Sequence, residues 1–209
     1  VKVSKKMADR AVLTMSYVVY PDGRLRVDYK ITISEGTLEP LRIGLQGQVD
    51  GDYEKVTYFG RGPQENYSDR YDGIFLGTWD TSAAGMMFNY VYPQENGNRT
   101  SVRWISMTDL QGRGIQFLGV EPLSVSVWNT TQEEIQKARH IGEPQMLRDA
   151  FTINVDHVQT GVGGTDSWSQ SARPSDQYRL MEKNYSYSFY ICPVKSRADA
   201  ISSGRRLCR

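Results

Sequence analysis

At 209 residues the chain has the length of one large domain. Its 25 basic and 24 acidic side chains leave a net charge of +1, too weak a field to hold a polyanionic nucleic acid or an acidic lipid surface. A hydrophobic share of 39%, with 13 Tyr and 4 Trp, excludes a disordered chain, and the two cysteines, Cys192 and Cys208, are too few for a disulfide framework.

The start, Val1-Lys2-Val3-Ser4-Lys5-Lys6, lacks the apolar core of a signal peptide, and no run of about 18 apolar residues follows it. Ala11 to Tyr20 is β-branched and apolar. In the next run Leu25, Val27, Tyr29, Ile31 and Ile33 face one way, and Arg26, Asp28, Lys30 and Thr32 the other, which is the period of a half-buried strand. Pro21-Asp22-Gly23-Arg24 between the two supplies turn chemistry and predicts a hairpin. The same period returns at Leu41 to Leu45, Tyr53 to Phe59, Ile74 to Trp79, Ser101 to Met107, Ile115 to Val120, Ser124 to Trp128, Phe151 to Val158 and Tyr185 to Ile191. About ten short strands separated by Gly, Pro, Asn and Asp predict an all-β antiparallel sandwich or barrel. Trp79, Trp104 and Trp128 lie in strand patterns and are expected to be buried.

One helix is predicted, two to three turns long, with Thr130 or Thr131 as its cap, Glu133 or Glu134 completing a capping box, and His140 at its C-terminal end. Residues 1–194 read as a single β-sandwich domain. Residues 195–209, with Arg197, Arg205, Arg206 and Arg209 and little apolar content, read as a basic tail without structure.

Three loops mix glycine with amide, carboxylate and aromatic groups, the combination that recognises hydroxyls. They are Gly60-Arg61-Gly62-Pro63-Gln64-Glu65-Asn66-Tyr67-Ser68-Asp69-Arg70, then Tyr92-Pro93-Gln94-Glu95-Asn96-Gly97, then Gly161-Val162-Gly163-Gly164-Thr165-Asp166-Ser167-Trp168-Ser169. The first two read as structural loops, with Gln64, Glu65 and Asn66 holding a turn by side-chain to backbone hydrogen bonds. The third carries Trp168 outside any strand pattern, so that indole is not expected in the core. Glycoside hydrolysis needs two carboxyl groups at a set separation. Glu65, Asp69, Glu95, Asp156 and Asp166 lie in or near the loops, but nothing in the sequence brings two of them together. His157 continues the apolar phase of its strand, which places it in the core or at a groove edge.

In this order and spacing the three strings resemble the C-terminal domain of bacterial β-galactosidases of glycoside hydrolase family 2, over roughly Tyr53 to Pro193. The resemblance implies a β-supersandwich of the galactose-mutarotase-like type, serving as a non-catalytic domain of an enzyme that hydrolyses terminal β-D-galactosides. The two catalytic Glu residues of that family stand on a separate TIM-barrel domain, so Glu65 and Glu95 are not catalytic and this chain alone is expected to be inactive. Trp168 matches the tryptophan that lines the outer sugar subsite, and Asp166, Ser167, Gly163 and Gly164 match residues that support its loop. The family's opening Arg-x-Pro-x-Asp-Asn-Asp segment has no match, so the domain is expected to be N-terminally incomplete. The implied partners are the remaining domains of the same chain, a β-galactoside substrate and further copies in a homo-oligomer, with neither nucleic acid nor membrane. No cofactor is implied for this chain, whereas a divalent metal and sodium are compatible with a full-length enzyme. The compartment, bacterial cytoplasm or periplasm, stays unread. The alternative functions are an independent aldose mutarotase, with His157 as its base, and a stand-alone carbohydrate-binding module.

Overall fold

The computed structural model describes residues 1–147, 149–164, 169 and 172–207. Alternation sets the first face: Val27, Tyr29, Ile31 and Ile33 are buried, while Lys30 and Thr32 between them are exposed. They belong to β3 (Leu25–Ile33), which pairs with β2 (Ala11–Val19) through the expected hairpin, and β1 (Lys2–Met7) extends the sheet outward. β1 has no buried residue, which is why no periodicity marks it. The remaining strands are β4 (Arg42–Asp50), β5 (Lys55–Gly62), β6 (Phe75–Ser82), β7 (Arg99–Thr108), β8 (Gly114–Trp128), β9 (Ala150–Gln159) and β10 (Asn184–Val194). All pairings are antiparallel.

The sheet runs in the order β1-β2-β3-β10-β8-β7-β5-β6, with β9 beside β8 and β4 beyond β9. Its centre is β8, which the sequence pattern splits into two strands. In the structure it is one strand of 15 residues. Its first part, Gly114 to Gly119, pairs with β10, and its last part, Ser124 to Trp128, pairs with β9. The exposed stretch Val120-Glu121-Pro122 between them accounts for the gap in the apolar pattern. The two halves so joined face each other across one core. Tyr187 of β10 reaches over it to donate its hydroxyl to the Val155 carbonyl of β9 at 2.7 Å, stacks on His157 of β9, and packs against Tyr29. A fully buried side chain of this size contributes about 1.5–3 kcal/mol.

The predicted helix is α2 (Gln132–Lys137), six residues long and shorter than expected. Thr131 caps it by accepting from the Glu134 amide at 3.1 Å. The reciprocal half of the capping box is not made: the Glu134 carboxylate accepts from the Gln145 amide instead. His140 does not cap this helix, which ends at Lys137; it is exposed and pairs with Glu143 at 3.2 Å. Two further α-helices arise among the described residues. α1 (Ala83–Met86) follows β6, capped by Ser82. α3 (Arg197–Leu207) occupies most of the segment expected to lack structure. It is held by a few contacts that no apolar stripe announces: the Gln116 side chain donates to the Ala200 carbonyl at 2.7 Å, Ala200 is fully buried, Gly204 leaves no room for a Cβ against the Trp104 indole, and Arg197 pairs with Asp80. Trp104 and Trp128 are buried as expected, and Trp79 is half-buried.

Candidate functional site

Asn66 organises the loop between β5 and β6. It is fully buried, and its amide donates to the carbonyls of Arg61 and Gln64 at 3.2 and 2.9 Å while its Oδ1 accepts from the Thr100 amide and hydroxyl at 2.8 and 2.6 Å. The backbones of Asn66 and Asn98 are joined as well, and the Asn98 side chain donates to the Asn66 carbonyl. The Glu65 carboxylate accepts from the Gly97 amide at 2.7 Å and from the Tyr90 hydroxyl. Asn66 and Glu65 so make side-chain to backbone bonds of the kind anticipated and tie the first glycine-rich string to the second, whereas Gln64 contributes its backbone carbonyl. In the second string Asn96 donates to the Gln94 carbonyl, and its own carbonyl receives the Trp128 indole N–H at 3.0 Å.

The first string also reaches the third. The Asp69 carboxylate accepts from the amides of Val162 and Gly163 at 3.1 and 2.8 Å, and Arg70 donates to the Gly163 carbonyl at 2.6 Å. Gly163 adopts φ +72°, a conformation that costs most other residues, and a Cβ at Gly161 would stand 2.6 Å from the Asp69 carboxylate. The Gly164 amide bonds the Ala172 carbonyl at 3.2 Å, closing the base of the loop. Gly163 and Gly164 thus bond Asp69, Arg70 and Ala172 through their backbones. Asp166, Ser167 and Trp168 lie outside the described residues.

Beside this loop base, Arg42 lies over the Trp128 ring and faces two carboxylates, Asp156 at 3.0 Å and Glu95 at 3.4 Å. So two of the five candidate acids do share one neighbour. Burial pushes the Asp156 carboxyl up to about 7, with Arg42 opposing, and raises Glu95 for the same reason. Asp156 is only 1% exposed, and a guanidinium pinned between the two acids leaves no place for a water or a glycosidic oxygen. The cluster is a structural ion network that ties β4 and β9 to the second string. Among the described residues no group of three or more His, Cys, Asp or Glu side chains could hold a metal ion. No described helix is long and apolar enough to cross a membrane.

A cleft of about 260 Å³ opens between the end of β5, the loop after it, the start of β7, the bend of β8 and the end of β9. His157 lines it, half-buried, and its Nδ1 has no hydrogen-bond partner among the described residues. Burial lowers the His157 pKa, outweighing the opposing charge of Glu121. Of the two places the sequence left open for His157, the core or a groove edge, the structure has it half-buried on the cleft wall. Sequence reasoning missed Asn98 and Arg42, whose roles depend on partners brought from other strands.

Residues 1–191 match the family described as beta galactosidase small chain. This chain belongs to that family. Among similar proteins, a beta-galactosidase of Halalkalibacterium halodurans is 37% identical over 180 residues, which cover 83% of this chain and 17% of that protein. One of Priestia megaterium is 32% identical over 181 residues, 86% of this chain and 17% of that protein, and one of Leuconostoc mesenteroides is 31% identical over 180 residues, 85% and 16%. The chain thus spans about one sixth of the length of the curated relatives it matches.

Proposed function

We propose that the chain is the non-catalytic C-terminal β-sandwich module of a β-galactosidase, completing a sugar site whose reactive acids stand on another domain. The observation that carries this reading is its match, over more than four-fifths of its length, to about one sixth of beta-galactosidases. The buried Arg42 network agrees with it, because the carboxylates it brings together are unfit for glycoside chemistry. In the full-length enzyme Trp168 stacks on the outer sugar, and the Asp69 and Arg70 bonds to the glycine backbone support its loop. A single indole face on a sugar supplies about 1.5 kcal/mol, below the 4 kcal/mol or more that association costs, so this loop alone does not retain a free sugar.

The test is Trp168→Ala in a full-length enzyme carrying this chain. The expected result is a raised KM and altered transfer to acceptor sugars, with the purified 209-residue chain showing no turnover of a galactoside. An unchanged KM removes the subsite role, and turnover by the chain alone, free of host enzyme, removes the non-catalytic reading.

A further inference from the structure

Apolar side chains crowd the surface where the second string meets the turn after α2. Val91 is 83% exposed, and Phe88, Tyr92 and Ile141 are each more than half exposed. The Ile141 amide donates to the Val91 carbonyl at 3.2 Å, which sets these two residues side by side, and the Phe88 ring packs on the Tyr90 ring with 4.6 Å between centroids. Four side chains of this size at these exposures approach the roughly 300–600 Å² of the largest apolar patch on a typical monomer, and such patches mark contact sites.

The frame beneath them is fixed. The Phe88 amide donates to Asn96 Oδ1 at 3.2 Å, the Tyr90 hydroxyl donates to Glu65, and the Gly97 amide bonds the same carboxylate. In the neighbouring turn the Glu143 carboxylate accepts from the amides of Arg139 and His140 at 2.7 and 3.2 Å, which holds the backbone that carries Ile141. Apolar surface set in advance on such a frame gives up little freedom on binding.

The third string gives this face a direction. Tyr90 stands close enough to Arg70 for the guanidinium charge to act on its hydroxyl, and Arg70 is the residue that bonds the Gly163 carbonyl. From the other end of the second string Glu95 reaches Arg42. Leu41, next to Arg42 and 75% exposed, accepts from the Thr160 amide at 2.9 Å, one residue before Gly161. Exposed Leu41 and Val162 thus carry the apolar surface on to the base of the third string. A body seated over that string meets these residues as well, because all of them share its bonded frame.

Resting on the reading that the reactive acids stand on another domain, we propose that Leu41, Phe88, Val91, Tyr92 and Ile141 form the face through which this module docks on that domain. The relatives extend far beyond this chain, which spans 17% of two of them, so a partner within one polypeptide is in fixed supply. A second copy of the chain does not suit the face, since it would cover the string that has to reach the sugar site. Interfaces between domains of one chain bury about 600–1,500 Å², so these side chains supply the apolar centre and polar neighbours the border.

The test is hydroxyl-radical footprinting, which oxidises accessible side chains, on a full-length enzyme carrying this chain and on the 209-residue chain. Both are normalised to Leu110, exposed on the turn between β7 and β8. Oxidation of Phe88, Tyr92 and Ile141 is expected to fall by about fivefold or more in the full-length enzyme, because the centre of an interface excludes water. Val91→Glu, at an exposed site, should leave the melting curve of the 209-residue chain in place and restore oxidation of Phe88 and Ile141 in the full-length enzyme, where it sets an unpaired charge into the contact. Equal oxidation of the face in the two wild-type proteins, or a Val91→Glu enzyme whose face stays protected, would overturn the proposal. So would protection that the 209-residue chain gains by itself as its concentration rises, which assigns the face to a second copy. Trp168→Ala keeps the two readings apart. A protected face with an unchanged KM upholds the docking and removes only the subsite role, whereas an unprotected face with a raised KM removes the docking alone.

Discussion

Replacing Asn66 by alanine removes one side chain and breaks four hydrogen bonds at once, two donated to the carbonyls of Arg61 and Gln64 and two accepted from Thr100. Each such bond is worth about 1 kcal/mol net, and a buried partner left unpaired costs about 1–3 kcal/mol, so relaxation of the loop sets the outcome at about 3–5 kcal/mol of lost stability. That is a large part of the roughly 5–15 kcal/mol typical of a folded domain. Equilibrium urea denaturation of the 209-residue chain, followed by tryptophan fluorescence, measures it. A double-mutant cycle with Thr100→Val should return about 1–2 kcal/mol of coupling, since the two residues share bonds. Asn66→Asp sharpens the test. It keeps an acceptor for Thr100 but sets carboxylate oxygen against two carbonyls. Its folded-state pKa is then raised, and the damage should be greatest at neutral pH and relieved as the acid protonates. A loss below about 1 kcal/mol for Asn66→Ala would refute the view that this residue knits the loop.

Asp156→Asn should flatten the pH dependence of stability between about 4 and 7. The wild-type carboxyl, raised from an ordinary 3.8 to about 7, favours the folded state when protonated and loses that contribution as pH rises through this window, whereas an amide does not titrate. Equal slopes in the two proteins would contradict this. Gly44→Ala should cost about 3 kcal/mol or prevent folding, because a Cβ there would meet the Asp156 side chain and stand 2.5 Å from its Cα, with Arg42 holding Asp156 in place. A normal melting temperature would show that the two strands separate more easily than their packing implies. Asp69→Ala should speed protease cleavage within Gly161 to Gly164 while barely moving the global unfolding midpoint, since only loop amides lose partners.

The strands were legible wherever one face is buried and the other wet. β3 alternates so regularly because Val27, Tyr29, Ile31 and Ile33 all reach the core. β1, exposed throughout, has no such record in its residues, and the continuity of β8 is hidden because Val120, Glu121 and Pro122 turn outward at the bend. α3 escaped notice for a related reason: its anchor is a backbone carbonyl bonded to Gln116 and a glycine against Trp104, features that hydropathy does not register. The glycine-rich strings were visible as strings. Their mutual bonds were not, because Asp69 finds Gly163 across 94 positions of sequence and Glu65 finds Gly97 across 32. The cleft was the least legible feature, since its walls come from five separate segments.

The long central strand has a mechanical consequence. Because β8 is held along one flank by β7 and hands its other flank from β10 to β9, neither half of the sandwich can peel away without dragging the shared ribbon out of the opposite half. Loosening either half therefore disturbs the strand on which the other half is paired.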